Sequence, residues 1–183
     1  MSLALLRKVV EALDATAIPH MLTGSFASNE YGELRSTQDI DLVIDPTPTA
    51  LDAFLDAFPV DDYYFDRPYA QAELTRRGMF NVIDVRLGWK VDLVIRKDRP
   101  FSVAEFARRR ITDAFGFPLS IATAEDVVIS KLEWARRGES QRQLSDAAAI
   151  LRARDDLDLD YVERWATELG ITEELTGARE LAG

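Results

Sequence analysis

His20-Met21-Leu22-Thr23-Gly24-Ser25, followed after thirteen residues by Asp39-Ile40-Asp41-Leu42-Val43-Ile44, is the stretch whose reading decides the fold. Successive side chains of an extended strand point to opposite faces, so Asp39 and Asp41 share one face while Ile40, Leu42 and Ile44 line the other. The apolar face requires a core. Two carboxylates side by side repel and Asp is a poor strand former, so the pair needs a cation, for which magnesium is the natural choice. Upstream, Gly24-Ser25 turns a short strand into a helix. Glycine permits close approach of the backbone to a phosphate, and the serine hydroxyl can donate to a phosphate oxygen. The helix start adds its amides and the positive end of its dipole.

Outward from this stretch, Leu5, Leu6, Val9, Val10 and Leu13 recur at helical spacing and predict a helix over residues 3–16. The strand at Ile40–Ile44 stops at Asp45-Pro46. Thr47 and Pro48 then supply a capping hydroxyl and a proline for the first helical position, predicting a helix to Pro59. Residues 68–77 read as helical, and Phe80–Leu87 with Lys90–Ile95 read as two strands of a hairpin across Gly88-Trp89. Ser102-Val-Ala-Glu105 and Thr123-Ala-Glu-Asp126 both have the form of a capping box, the second ahead of a helix carrying Lys131. Beyond a composition shift near residues 115–122 the pattern is helical throughout. The expectation is an α/β protein: a mixed β-sheet flanked by helices over residues 1–118, with an all-helical C-terminal portion, 119–183, packed on it.

The chain of 183 residues is 47% hydrophobic, carries a formal charge of −10, and contains no cysteine and one histidine, His20. Disulfides, thiolate metal sites and multi-histidine metal sites are thereby excluded, and His20 reads as structural. No apolar run is long enough to cross a bilayer, so a cytoplasmic protein with no membrane partner is expected. Strong acidity opposes non-specific nucleic-acid binding. The arginines at 76–77, 108–110 and 136–137 with Arg142 read as solvated helix faces, with a local RNA-binding rim as the other reading.

Phosphoryl or nucleotidyl transfer needs in-line positioning and charge neutralisation, which two metal ions about 4 Å apart supply and three carboxylates can hold. Asp92, in Lys90-Val-Asp92-Leu-Val-Ile95, sits in a run that otherwise reads as buried, and a carboxylate there requires a reason. Asp84 on the preceding strand is its rival. Thr37, in Arg35-Ser36-Thr37, is a candidate phosphate contact or a loop end. Lys131, its stem along an apolar stripe with Val127, Val128, Trp134 and Ala135, reads from its surroundings as a lysine snorkelling to water. Arg142 and Asp146, one helical turn apart, read as a surface ion pair, with Asp146 left open. Trp134, one turn from Lys131, is a candidate to flank a base, whereas Trp89 and Trp165 read as packing residues.

Gly24-Ser25, thirteen residues, Asp39-Ile-Asp41-Leu and the later strand acid Asp92 together resemble the nucleotidyltransferase superfamily typified by DNA polymerase β. The match covers the first 100 residues or so. Glu125-Asp126-Val-Val-Ile-Ser-Lys131-Leu-Glu133 with Arg142-Gln-Leu-Ser-Asp146 also resembles the tail of the AbiEii and AbiGii toxin-type nucleotidyltransferases. That group carries a fuller Arg-Lys-Asp-x-x-Asp signature, where this chain has Gln143, Leu144 and Ser145 ahead of Asp146. The resemblance implies the nucleotidyltransferase fold, two magnesium ions and a nucleoside triphosphate such as ATP as donor. It further implies transfer of a nucleoside monophosphate to a hydroxyl of tRNA, protein or a small molecule. Asp39, Asp41 and Asp92 match the metal carboxylates, Gly24 and Ser25 the triphosphate turn, and Lys131 a lysine reaching the triphosphate. The toxin-type match implies a toxin with an antitoxin protein as partner. The alternatives are an antibiotic-type small-molecule nucleotidyltransferase, a non-catalytic binding or antitoxin-like protein with the same fold, and a metal-dependent phosphohydrolase.

Overall fold

A computed structural model describes residues 2–31, 39–138 and 140–183. In chain order the elements are α1 (Ser2–Ala15), β1 (His20–Thr23), α2 (Gly24–Tyr31), β2 (Asp39–Ile44), α3 (Pro48–Asp56), β3 (Tyr63–Tyr64), α4 (Arg67–Arg76), β4 (Met79–Asp84) and β5 (Trp89–Ile95). They continue with α5 (Pro100–Arg108), β6 (Arg110–Thr112), β7 (Leu119–Ile121), α6 (Ala124–Gly138), α7 (Gln141–Ala153), α8 (Leu159–Leu169) and α9 (Thr172–Ala182).

The strands form one mixed sheet in the order β3-β4-β5-β2-β1-β7-β6. At its centre β2 runs parallel to β5 and antiparallel to β1, and β4 closes the β5 hairpin antiparallel. Ile40, Leu42, Ile44, Val91, Leu93 and Ile95 are fully buried on one face of this central pair. Each such side chain contributes about 1.5–3 kcal/mol of burial. Helix α1 packs against β5 and α4 against β4. The opposite face, which carries Asp41, Val43, Asp92 and Val94, forms the floor of a cleft roofed by α6.

The predicted start of α3 is observed: Thr47 caps it by accepting from the Ala50 amide, and Pro48 occupies the first turn. The Thr123 cap of α6 also forms, its hydroxyl accepting from the Asp126 amide and donating to the Asp126 carboxylate. Three expectations are corrected. Helix α5 begins at Pro100 rather than at a Ser102 cap, because proline at the first position presets the helical φ two residues earlier. Ser102 instead accepts from Arg99 Nε, and Glu105 turns into the protein. The hairpin turn is Val85–Gly88, so the first strand ends at Asp84, whose Oδ1 accepts from the Arg86 and Leu87 amides. Asp84 thus ties down a turn and does not serve as a third site acid. Finally, residues 119–121 form β7, paired parallel with β1, so the all-helical portion starts at Ala124 rather than at 119. Short strands such as β3, β6 and β7 hold too few residues to display a period of two, and only their pairing partners define them.

Candidate active site

β1 ends at Thr23, and Gly24 turns the chain into α2 with φ +65°, a left-handed conformation that favours glycine. Glycine is demanded there a second time: a Cβ at this position would collide with Asp41 Oδ2. The sheet register sets Thr23 opposite Asp41, Asp41 opposite Asp92, and Asp92 opposite Asn81. Directly opposed residues share a face, so these four form a polar row across four strands, about 4.8 Å from one strand to the next.

Two carboxylates set side by side on neighbouring strands repel each other. Burial, followed by the negative charges of Asp92 and Asp39, raises the Asp41 pKa to about 6, against the smaller pull of Lys131 and Lys90. Asp92 is only 7% exposed. Its Oδ2 accepts from Lys90 Nζ at 2.9 Å, while its buried Oδ1 has no hydrogen-bond partner among the described residues. An unpartnered buried carboxylate oxygen is costly, and oxygen donors of this kind suit a hard divalent cation such as magnesium. The Asp41–Asp92 pair therefore fits a metal ion. Asp39, on the same face of β2, stands apart from the pair: it is 62% exposed and lies 3.5 Å from Lys90 Nζ. Among the described residues no three acidic or histidine side chains gather tightly enough to hold a metal. The expected triad is thus two adjacent acids and a third held at the rim by a lysine. Lys90 in turn has its pKa raised, mainly by the hydrogen bond to Asp92.

The roof brings Lys131 to the floor. Its ammonium donates to Asp146 Oδ2 at 2.9 Å and to Ser25 Oγ at 3.5 Å, and its side chain is 4% exposed. Lys131 therefore reaches the Gly24-Ser25 turn and does not snorkel to water. Asp146 turns inward to it, not outward as half of a surface pair with Arg142. The cleft between sheet and roof has a volume of about 400 Å³. Beyond the acids its floor is apolar, formed by Val43, Val94 and Met79, and Trp134 stands exposed on the roof. At the far end Glu133 holds Arg99 in a bidentate pair. Glu105 accepts from Ser130 there, its pKa pushed up to about 7 by burial and then by the charge of Asp126.

Thr37 lies outside the described residues, as do Arg35 and Ser36. His20 is structural, buried with Nδ1 3.1 Å from the Ile18 carbonyl oxygen. Trp165 packs against Phe101 and Tyr161. Some of the arginines expected on solvated faces instead make ion pairs: Arg77 with Asp45 and Asp98, Arg108 with Glu125 and Asp126. Sequence reasoning passed over Lys90, although its spacing of two from Asp92 already placed both on one face. It also passed over Glu105, which it read only as the acid of a capping box.

No family model and no curated protein sequence matches this chain. Solved structures do. The solution structure of the antibiotic-resistance factor ANT(2'')-Ia is similar over 98% of this chain and 96% of its own, with a TM-score of 0.60 at 14% identity. A crystal structure of ANT(2'')-Ia in complex with adenylyl-2''-tobramycin gives 0.50 over the same shares of the two chains, again at 14% identity. An antigenic nucleotidyltransferase-like protein from Paracoccidioides brasiliensis gives 0.56 at 17% identity over 92% of this chain and 90% of its own. At such identities the likeness is one of fold, and the fold is that of the nucleotidyltransferases.

Proposed function

We propose that this protein is a magnesium-dependent nucleotidyltransferase that moves a nucleoside monophosphate from a nucleoside triphosphate to a hydroxyl of a small molecule. The observation that carries the reading is the Asp41–Asp92 pair under the Gly24-Ser25 turn, with one buried oxygen of Asp92 lacking a hydrogen-bond partner among the described residues. Magnesium held by Asp41 and Asp92, with Asp39 at the rim, would neutralise the triphosphate and make the acceptor hydroxyl more acidic. The chain's own residues supply the rest. Gly24 brings the first turn of α2 against Asp41, so its amides meet the phosphates. Ser25 donates to a phosphate oxygen, and Lys131, anchored by Asp146, adds positive charge beside it. Val43, Val94 and Met79 give the floor beside the acids an apolar surface.

A small acceptor is favoured by the cleft's volume of about 400 Å³, by the net charge of −10, and by the likeness in fold to a factor crystallised with adenylyl-2''-tobramycin. The toxin reading draws on one observation, that Lys131 and Asp146 of the toxin-type segment meet in the fold. One assay tests both. The protein is incubated with magnesium and each α-labelled nucleoside triphosphate, separately with aminoglycosides and other polyhydroxylated small molecules, total RNA and cell protein. Label in a small-molecule pool, lost in Asp41→Asn, is the expected result. Label in RNA or protein alone would favour the toxin reading. No label in any pool, or equal labelling by Asp41→Asn, would overturn nucleotidyl transfer.

A further inference from the structure

Lys90 lies on β5 two residues before Asp92, hence on the same face, and in register with Asp39 on β2. Its ammonium stands between the two acids, 2.9 Å from Asp92 Oδ2 and 3.5 Å from Asp39 Oδ1. We propose that Lys90 is a built-in counter-ion: it holds Asp39 and Asp92 when no metal is bound, and a divalent cation at Asp41 and Asp92 displaces it. The inference rests on the reading that Asp41 and Asp92 bind such a cation.

Three observations carry it. Three carboxylates share this face of β2 and β5, and repulsion among them would open the site in the absence of a cation. Lys90 engages one oxygen of Asp92 and leaves the buried Oδ1 without a partner among the described residues, so the carboxylate is anchored while one donor is kept for a second ligand. The lysine side chain is 36% exposed, and its flexible stem lets the head move into water at small cost. Lys131, at 4%, has no such exit. Displacement of Lys90 lets Asp39 turn towards Asp41 and Asp92 on the same face.

The test measures Mn²⁺ binding to the nucleotide-free protein by electron paramagnetic resonance, together with thermal melts in chelator and in excess Mg²⁺. Lys90→Met removes the internal competitor, so Mn²⁺ should bind on the order of tenfold more tightly than to the wild type. In chelator Lys90→Met should melt lower, by about 4 °C, and Mg²⁺ should close that gap. Lys90→Arg, which keeps the charge, should track the wild type in both measurements. Unchanged or weaker Mn²⁺ binding by Lys90→Met overturns the inference, as does a melting deficit that Mg²⁺ fails to close. Phosphate binding by Lys90 would leave Mn²⁺ affinity unmoved without nucleotide and so also counts against it. If wild type and Asp92→Asn bind Mn²⁺ equally, the metal reading itself fails. If neither wild type nor Lys90→Met binds the ion, both fail.

Discussion

The floor and the roof of the cleft each contain a lysine–aspartate pair 2.9 Å long, and the two differ in almost everything else. In the floor, Lys90 is 36% exposed and bridges two acids of which one, Asp39, faces solvent. In the roof, Lys131 and Asp146 are 4% and 5% exposed, joining α6 to α7 beside Ser25. A pair sealed from water cannot exchange partners without leaving a charge uncompensated, so the roof pair fixes the position of a cation. A pair with one open side can exchange its lysine for another cation at little cost. Equal distances therefore carry unequal meaning, and burial decides which pair is framework and which is a place for chemistry.

The sharpest way to break this comparison is to neutralise the floor. Asp92→Asn should lower nucleotidyl transfer by about a thousandfold or more, about 4 kcal/mol on the barrier, while the melting temperature does not fall. A variant keeping more than a tenth of the rate would remove the floor pair from the chemistry. The roof should respond in the opposite sense. Asp146→Ala leaves Lys131 buried and unpaired and should cost about 3–5 kcal/mol in denaturant unfolding. A loss below about 1 kcal/mol would make the two pairs alike.

A smaller effect follows from Asp41. Its folded pKa, about 6, lies above the ordinary carboxylate value, so between those two values the folded state binds more protons than the unfolded state. In chelator this group therefore stabilises the fold progressively as pH falls from about 7 towards 4. Asp41→Asn should remove that slope and stabilise the metal-free protein at neutral pH by on the order of 2 kcal/mol. Glu105, raised to about 7, contributes with the same sign, so Glu105→Gln is the control that separates them. Unfolding curves at several pH values decide the matter: an Asp41→Asn protein that keeps the full slope would contradict the assignment. The smallest effect belongs to Trp134 on the exposed side of the roof. Trp134→Ala should shift stability by less than about 0.5 kcal/mol, yet raise the KM for nucleotide or acceptor several-fold through loss of a ring contact. An unchanged KM for both would mark the ring as surface only.

How much of this was legible beforehand differs by kind of residue. The strand alternation around Asp41 and Asp92, the Gly24-Ser25 turn, the Thr47-Pro48 helix start and the Thr123 cap are local devices, and each appears where its spacing predicts. Ser102 and Glu105 misled because Pro100 acts two residues earlier and does so more strongly. β6 and β7 escaped because three residues carry no readable period, and their pairing with β1 and with each other is non-local.

The amino-acid sequence on its own determined which side chains share a face: Asp39 with Asp41, Lys90 with Asp92, and Ile40, Leu42 and Ile44 turned to the core. That follows from backbone geometry repeating every two residues. Only tertiary structure decided what stands beside what. The parallel register of β2 on β5 set Asp41 against Asp92 and Lys90 against Asp39, and the return of α6 and α7 over the sheet buried Lys131 with Asp146 at Ser25. Partners more than a hundred residues apart, such as Lys131 and Ser25, meet only because burying the apolar faces of sheet and helices brings them together, and no local spacing encodes that meeting.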